Sequence, residues 1–399
     1  MQSTDAVVGK SELPEAIRSR DGQLEPFEWY AEMRQRSPVH FDEERQHWDL
    51  FRYEEIDRVL TDYESFTANR SGSENATDDD GAMFQTMIMV DPPGHDRLRG
   101  FVNERFQPGT LREYQPRIEE LTEEVLDQID GEDRFDFVDE FAIRLPITII
   151  AELLGIPAER RDEFKEWSDA LVARPEDGSE SSIERSQERT QWAQQQMGQY
   201  FAQLLEERQD GSGDDLITLA ATTEELSRGE QVGFCMLLLV AGNITTTNLL
   251  TNALWCFEER GITDAIRTGD IDRKQAIEEV LRYRSPIQSL DRVALEDVEL
   301  NGKQIREGDV VTAWLGGANR DPELFDAPEE FRPERSPNRH IAFGKGVHYC
   351  LGAPLARIEA DVAFDVLLDR FETIEADLTD LRPLYSLYGL ESLTCTVEE

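Results

Sequence analysis

Apolar residues recur at three- and four-residue spacing through most of this chain, the period that lines one face of an α-helix. The pattern predicts helices over 25–37, 53–62, 92–105, 116–129, 142–155, 158–173, 189–209, 231–260, 273–284 and 350–371. Alternating or β-branched stretches are short, at 39–41, 47–51, 298–300, 303–305, 310–314 and 393–397, with Gly or Asn turns between them. The fold class is therefore mainly α with a small β region. Polar stretches at 71–81, 175–182 and 208–215 read as loops, and no internal repeat or long linker divides the chain. In the helix over 231–260 the apolar part stops at Asn243. That is short of the roughly 20 residues a bilayer crossing needs, and no N-terminal signal pattern precedes it, so no membrane anchor is expected.

Charge changes the picture more than size does. The chain carries 84 Asp plus Glu against 41 Lys plus Arg, a formal charge of −43, and its only lysines are Lys10, Lys165, Lys274, Lys303 and Lys345. So much like charge strains a compact fold unless salt screens it, because the Debye length falls from about 8 Å at physiological ionic strength to about 3 Å at 1 M. The composition reads as halophilic, suited to a high-salt cytoplasm. It argues against nucleic acid and anionic membranes as partners, since both demand a basic stripe. Four cysteines, Cys235, Cys256, Cys350 and Cys395, show no C-x-x-C spacing, which suits a reducing interior rather than a disulfide frame. Cys235 and Cys256 fall on the apolar helix and read as core.

Cys350 is different. Phe343-Gly344-Lys345-Gly346-Val347-His348-Tyr349-Cys350-Leu351-Gly352 places it where a glycine-rich loop hands over to a helix. Glycines let the loop curl, and the helix's positive end lowers the pKa of a thiol set near it. The segment, F-G-x-G-x-H-x-C-x-G, continues as Ala353-Pro354-Leu355-Ala356-Arg357. It resembles the haem-binding loop of cytochrome P450 enzymes of the soluble bacterial and archaeal type. The resemblance runs from about Leu24 to the C-terminus. It implies a single haem-thiolate domain over 24–399, an α-helical triangular prism with haem b (iron protoporphyrin IX) between distal and proximal helices, after a flexible segment at 1–23. It also makes Cys350 the axial ligand of the haem iron, with Phe343 and Gly344 beside the cofactor.

Further residues match the same family. Glu279 and Arg282, three apart on one helix face, match the buried E-x-x-R pair, with Arg335 as its third member; their role is structural. His95 and Arg99, one turn apart after Asp91-Pro92-Pro93-Gly94, match the helix that holds the haem propionates, and Arg292 and His348 are implied as further propionate partners. In Ala241-Gly242-Asn243-Ile244-Thr245, Ala241 and Gly242 leave space beside the distal helix. The resemblance gives Thr245 the role of steering protons at the dioxygen site. Substrate contacts implied by resemblance are Met83, Phe84, Met87, Ile88, Leu238, Ala241, Ile287 and Leu390, all apolar, which favours an apolar small molecule.

One position departs from the family. Ile244 stands where an acid is expected, and isoleucine neither accepts nor donates a proton. The chain also lacks a flavin or nicotinamide fingerprint and cluster-type cysteine spacing. A separate donor, a ferredoxin with its reductase, is expected to dock near Cys350, where Lys345, Arg357 and Arg112 supply positive charge. The leading expectation is a monomeric haem-thiolate monooxygenase. The alternatives are a peroxide-driven oxygenase, favoured by Ile244 but lacking the distal arginine and carboxylate such enzymes are expected to carry, and a non-catalytic haem-based ligand sensor. The charge reading has its own test: unfolding midpoints should rise steeply with potassium chloride toward molar concentrations, and equal stability at low and molar salt would end the halophilic interpretation.

Overall fold

The structure, a computed structural model, describes residues 13–69, 86–129, 131–172, 180–384 and 387–398. Its first helices are α1 (Arg20–Leu24), α2 (Phe27–Arg36), α3 (Tyr53–Thr61), α4 (Gly94–Gly100), α5 (Pro108–Leu126), α6 (Arg144–Leu154) and α7 (Arg161–Val172). There follow α8 (Glu180–Glu207), α9 (Leu216–Thr222), α10 (Arg228–Arg260), α11 (Thr263–Arg267), α12 (Arg273–Tyr283), α13 (Leu315–Ala318) and α14 (Ala353–Arg370). The strands are short: β1 (Val39–Asp42), β2 (His47–Leu50), β3 (Phe66–Thr67), β4 (Arg134–Asp136), β5 (Ser289–Ala294), β6 (Val298–Leu300), β7 (Lys303–Ile305), β8 (Val310–Trp314), β9 (Thr373–Ala376) and β10 (Thr394–Glu398).

The residues cluster into two compact units, neither a contiguous stretch of chain. Of the described residues, the first takes those within 13–69, 87–96 and 271–351, and the second takes Thr86 and those within 97–270 and 352–398. The first holds a five-stranded sheet of order β1-β2-β8-β5-β3 and the β6–β7 hairpin. Val39, Leu50, Ile56, Val311, Leu315 and Ile341 are at most 2% exposed and form the centre of its apolar cluster. Trp29 meets Phe51 and Trp314 edge-on at 5.0 and 5.1 Å between ring centroids. α12 starts where the Asp272 side chain accepts a hydrogen bond from the Gln275 N–H at 2.8 Å.

The second unit is built around α10, which packs on α6, α8 and α14, beside the three-stranded sheet β4-β10-β9. A capping box starts it: Ser227 N donates to Glu230 Oε2 at 2.7 Å, and Glu230 N donates back to Ser227 Oγ at 3.3 Å. Gly261, at φ 60°, ends it in the left-handed conformation.

Several elements differ from the sequence reading. α10 begins three residues before the expected start, where the S-x-x-E capping box at 227–230 sets its first turn. It also contains an 18-residue window of mean hydropathy 1.5, long and apolar enough by composition to cross a membrane, of which 72% is buried in the protein. The apolar count had stopped at Asn243, whereas Leu249, Leu250, Ala253 and Leu254 carry it on. α5 starts at Pro108, in the first turn where a missing N–H costs nothing, and runs through Pro116. α8 begins at Glu180 rather than 189. α14 begins at Ala353, after an N-cap at Gly352, not at Cys350. Strands β3, β4, β5 and β9 were not foreseen. Of the segment expected to be flexible, 1–12 lie outside the described residues, Glu15–Ile17 forms a 3-10 turn and Ser19 caps α1. The expected loop at 71–81 and most of that at 175–182 also lie outside the described residues.

One buried group gives a stability prediction. Glu359 on α14 is 1% exposed, its Oε2 has no hydrogen-bond partner among the described residues, and burial pushes its carboxyl well above the ordinary value. A raised folded-state pKa means that the contribution is fully present below the unfolded value and is lost as pH rises through the folded one. Glu359→Gln should therefore melt higher than the parent at neutral and alkaline pH, with the gap closing toward pH 4. Parallel melting curves across that range would refute a neutral Glu359.

Candidate functional site

In the first unit the Cys350 loop is tightly turned. Gly344 and Gly346 adopt φ of 70° and 69°, a region where side chains other than glycine are strained. A β-carbon at Gly346 would stand 2.6 Å from the Leu60 carbonyl oxygen at the end of α3, so the loop lies directly against that helix. Within it Gly344 N donates to Ile341 O at 2.9 Å, Tyr349 N to Gly346 O at 3.1 Å, and Cys350 N to Phe343 O at 2.9 Å. The result leaves Cys350 exposed while Cys235, Cys256 and Cys395 are buried. Burial pushes the thiols of Cys235 and Cys395 upward, out of the range where they could ionise.

Behind this loop lies a charged network with its main members inside the protein. Glu279 and Arg282 are 0% and 1% exposed. Arg282 donates from Nε and Nη2 to the two Glu279 oxygens, each at 2.8 Å. Arg335 Nε sits 3.1 Å from both oxygens, Arg332 N donates at 2.8 Å and Asn338 Nδ2 at 3.1 Å. The remaining Arg282 donors reach the carbonyls of Asn319, Pro328 and Glu330. Burial pulls the Arg282 guanidinium below its ordinary value, and Glu279 opposes the shift. The expected third member, Arg335, is thus in place, and Asn338 and the Arg332 backbone join it unforeseen.

A second cluster in the same unit centres on Asp91. His348 Nε2 donates to Asp91 Oδ1 at 2.9 Å, and the Thr67 hydroxyl donates to Oδ2. Ala68 N lies 3.4 Å from Oδ1, and the Asp91 carbonyl accepts from His95 N at 3.0 Å. Burial pushes the Asp91 carboxyl up, but the bonds from His348 and Thr67 outweigh it and hold the group below the ordinary carboxylate range. The rings of His95 and His348 meet edge-on, 4.7 Å apart. His95 is 2% exposed, and its Nδ1 donates to Asp96 at 3.2 Å. α4 carries His95 and Arg99 one turn apart, as their spacing implied. Arg292 is buried on β5, paired in register with Val311, and its Nη1 donates to the Asp291 carbonyl at 2.9 Å. Asp91 entered the sequence reading only as part of the stretch ahead of His95; its place four residues before that histidine was the available signal.

In the second unit, α10 presents the stretch Ala241–Thr245. Ala241 is exposed and Thr245 half-buried, and the Thr245 hydroxyl donates to the Ala241 carbonyl at 2.8 Å. Gly242 departs from expectation. A β-carbon there would stand 3.3 Å from Ile150 of α6, so the room its missing side chain leaves is taken up by helix packing. The implied substrate contacts divide by burial. Met87, Leu238 and Leu390 are 6%, 7% and 1% exposed, whereas Ile88 is 51% exposed. Ile287 packs against the apolar cluster of the first unit. Met83 and Phe84 lie outside the described residues. Of the cations expected to meet an electron donor, Lys345 is paired with Asp57 and lies 5.0 Å over the Tyr53 ring, Arg357 is half-buried, and Arg112 is exposed on α5.

Known proteins carry the same pattern. The family profile described as Cytochrome P450 matches residues 273–393. Cytochrome P450 109 of Bacillus spizizenii is 36% identical over 366 residues, spanning 90% of this chain and 88% of its own. Among solved structures, CYP109E1 of Bacillus megaterium in complex with testosterone superposes with a TM-score of 0.88 at 38% identity, covering 95% of this chain and 99% of that one. CYP109B1 of Bacillus subtilis superposes with a TM-score of 0.85 at 39% identity, covering 94% and 100%.

Proposed function

This chain belongs to the cytochrome P450 family, and from that premise we propose that it inserts one atom of dioxygen into an apolar small molecule, using electrons from a separate protein. The family makes it a haem-thiolate monooxygenase with protohaem IX as cofactor. The residues present fit that group. One exposed cysteine on a glycine-turned loop can serve iron, and two imidazoles and two guanidiniums, on His95, His348, Arg99 and Arg292, suit two carboxylates. The observation that carries the reading is the exposure of Cys350 in a chain whose other three cysteines are buried.

The bound haem supplies dioxygen activation, which a thiolate ligand favours by donating electron density. The reaction balances as substrate, dioxygen, two electrons and two protons giving hydroxylated product and water. Cys350 provides the thiolate, on a backbone that Gly344, Gly346 and Phe343 keep turned. His95, Arg99, Arg292 and His348 hold the propionates. Thr245 handles protons at its hydroxyl, and Ala241 keeps the adjacent helix face low. Glu279, Arg282 and Arg335 fix the segment ahead of the loop. Ile88 and Ala241 offer open apolar surface to substrate, and the testosterone held by the B. megaterium relative supports a compact apolar molecule. The electron donor is a ferredoxin with its reductase, and the protein acts as a monomer in a high-salt cytoplasm.

Ile244 favours a second reading, in which peroxide rather than reduced dioxygen is the oxidant. Ile244→Glu should change the ratio of product formed to reductant consumed; an unaltered ratio would show that the missing acid has no mechanistic consequence. The primary test is spectroscopic. The reduced protein with carbon monoxide should show the far red-displaced Soret peak of thiolate ligation, and Cys350→Ser should lose it. Absence of the peak in the parent, or its survival in the serine variant, sinks the assignment.

A further inference from the structure

We infer that Asp91 is a positioning residue for the haem, locking His348 and the loop that bears Cys350 to the start of α4 and the end of β3. The inference rests on the propionate assignment above and deepens it. A carboxylate is an unexpected neighbour for an anion-binding cluster, because it repels the propionates that His95 and His348 are placed to hold. Its bonds show what it does instead. Oδ1 accepts from His348 Nε2 at 2.9 Å and lies 3.4 Å from Ala68 N, and Oδ2 accepts from the Thr67 hydroxyl. Its carbonyl takes the His95 N–H at 3.0 Å. Both side-chain oxygens are therefore engaged within the protein.

The arrangement joins two segments that carry proposed propionate partners to a strand that pairs beside a third. His348 is on the cysteine loop, His95 on α4, and Thr67 pairs with Val293, the neighbour of Arg292 on β5. With Nε2 of His348 committed to Asp91, the ring is fixed in orientation and presents Nδ1 as its other polar atom. This is how an outer partner of a cofactor ligand acts: it touches no reacting atom and sets the one that does. Its charge acts as well. A fixed anion near the cofactor opposes the extra electron of the reduced state, so it lowers the reduction potential.

The test compares the haem-loaded parent with Asp91→Ala, Asp91→Asn and Thr67→Val. Haem transfer to apomyoglobin and the reduction potential are the readouts. Asp91→Ala should release haem about 10- to 100-fold faster, the usual range for losing such a partner. Asp91→Asn, which keeps the shape and removes the charge, should hold haem more firmly than the alanine variant and shift the potential to more positive values. Thr67→Val, which keeps the charge, should speed release while leaving the potential near that of the parent. Should Asp91→Ala fail to fold, the other two variants decide. Parental release rates and potential in Asp91→Asn, with parental release in Thr67→Val, would overturn the inference. A parent without the thiolate–carbon monoxide peak would instead remove the reading on which it stands.

Discussion

The position of Cys350 depends on a carboxylate that never meets the cofactor's chemistry. Glu279 is fully buried, and stripping a charge of water costs several kcal/mol, which is regained only if every lone pair finds a donor. Here the donors come from Arg282 on the same helix and from Arg332, Arg335 and Asn338 further along the chain. The segment that follows is held on the same framework. His340 Nε2 bonds Glu278 at 2.9 Å, and Ile341 N donates to the Asn319 side chain at 2.8 Å, while the Asn319 carbonyl accepts from Arg282. The chain thus arrives at Phe343 already fixed, and the two glycine turns carry that fixity to the sulfur. Removing one partner from such a network leaves an uncompensated buried charge, at about 3–5 kcal/mol.

The same principle explains how an extremely acidic chain can have ionised groups inside it. Arginine, not lysine, supplies the buried cations: Arg34, Arg282, Arg284 and Arg320 are at most 6% exposed. A planar guanidinium presents five donors in a fixed fork, so it satisfies a carboxylate and several carbonyls at once. Arg320 also lies 3.4 Å over the Phe27 ring and 3.9 Å over that of Tyr283, where the face of each aromatic ring attracts a cation. Each of these four has a carboxylate beside it: Arg34 and Arg320 meet Glu329, Arg282 meets Glu279 and Arg284 meets Glu25. The surplus of carboxylates falls on the surface, where only solvent and counterions answer it, and salt acts there rather than on the interior pairs.

What the sequence disclosed follows the range of the interactions involved. The Cys350 loop, the Glu279–Arg282 pair and the His95–Arg99 turn are contiguous or one helical turn apart, so their spacing carries their geometry. The helices α2, α3, α10 and α12 were visible because each has an apolar face or run of its own. Strand β3 was not, because its ladder joins Phe66 and Thr67 to Val293 and Ala294, more than two hundred residues away, and a two-residue strand has no periodicity to read. Gly242 shows a different limit: an absent side chain signals that something comes close, but not what, and here it is Ile150. Asp91 shows a third, since its partners Thr67 and His348 are distant in sequence in opposite directions.

The polar stretch of α10 gives the departure at Ile244 a physical setting. The hydroxyls of Thr245, Thr246, Thr247 and Thr251 each donate to the carbonyl four residues back, and Asn248 Nδ2 donates to the carbonyl of Ile244 at 2.8 Å. Such back-bonding spends the side-chain proton on the helix and leaves the oxygen's lone pairs facing outward. In this arrangement the Thr245 proton is held by the Ala241 carbonyl, and its oxygen keeps lone pairs with which to accept. To pass one on it must rotate and release the Ala241 carbonyl, or receive a proton on one side while surrendering another to the backbone. An acid at 244 would be a neighbouring source for either step, and isoleucine supplies nothing. Ala241 itself is exposed, so the carbonyl that holds the Thr245 proton belongs to the residue of this stretch most open to its surroundings, whereas Ile244 offers only a hydrocarbon side chain.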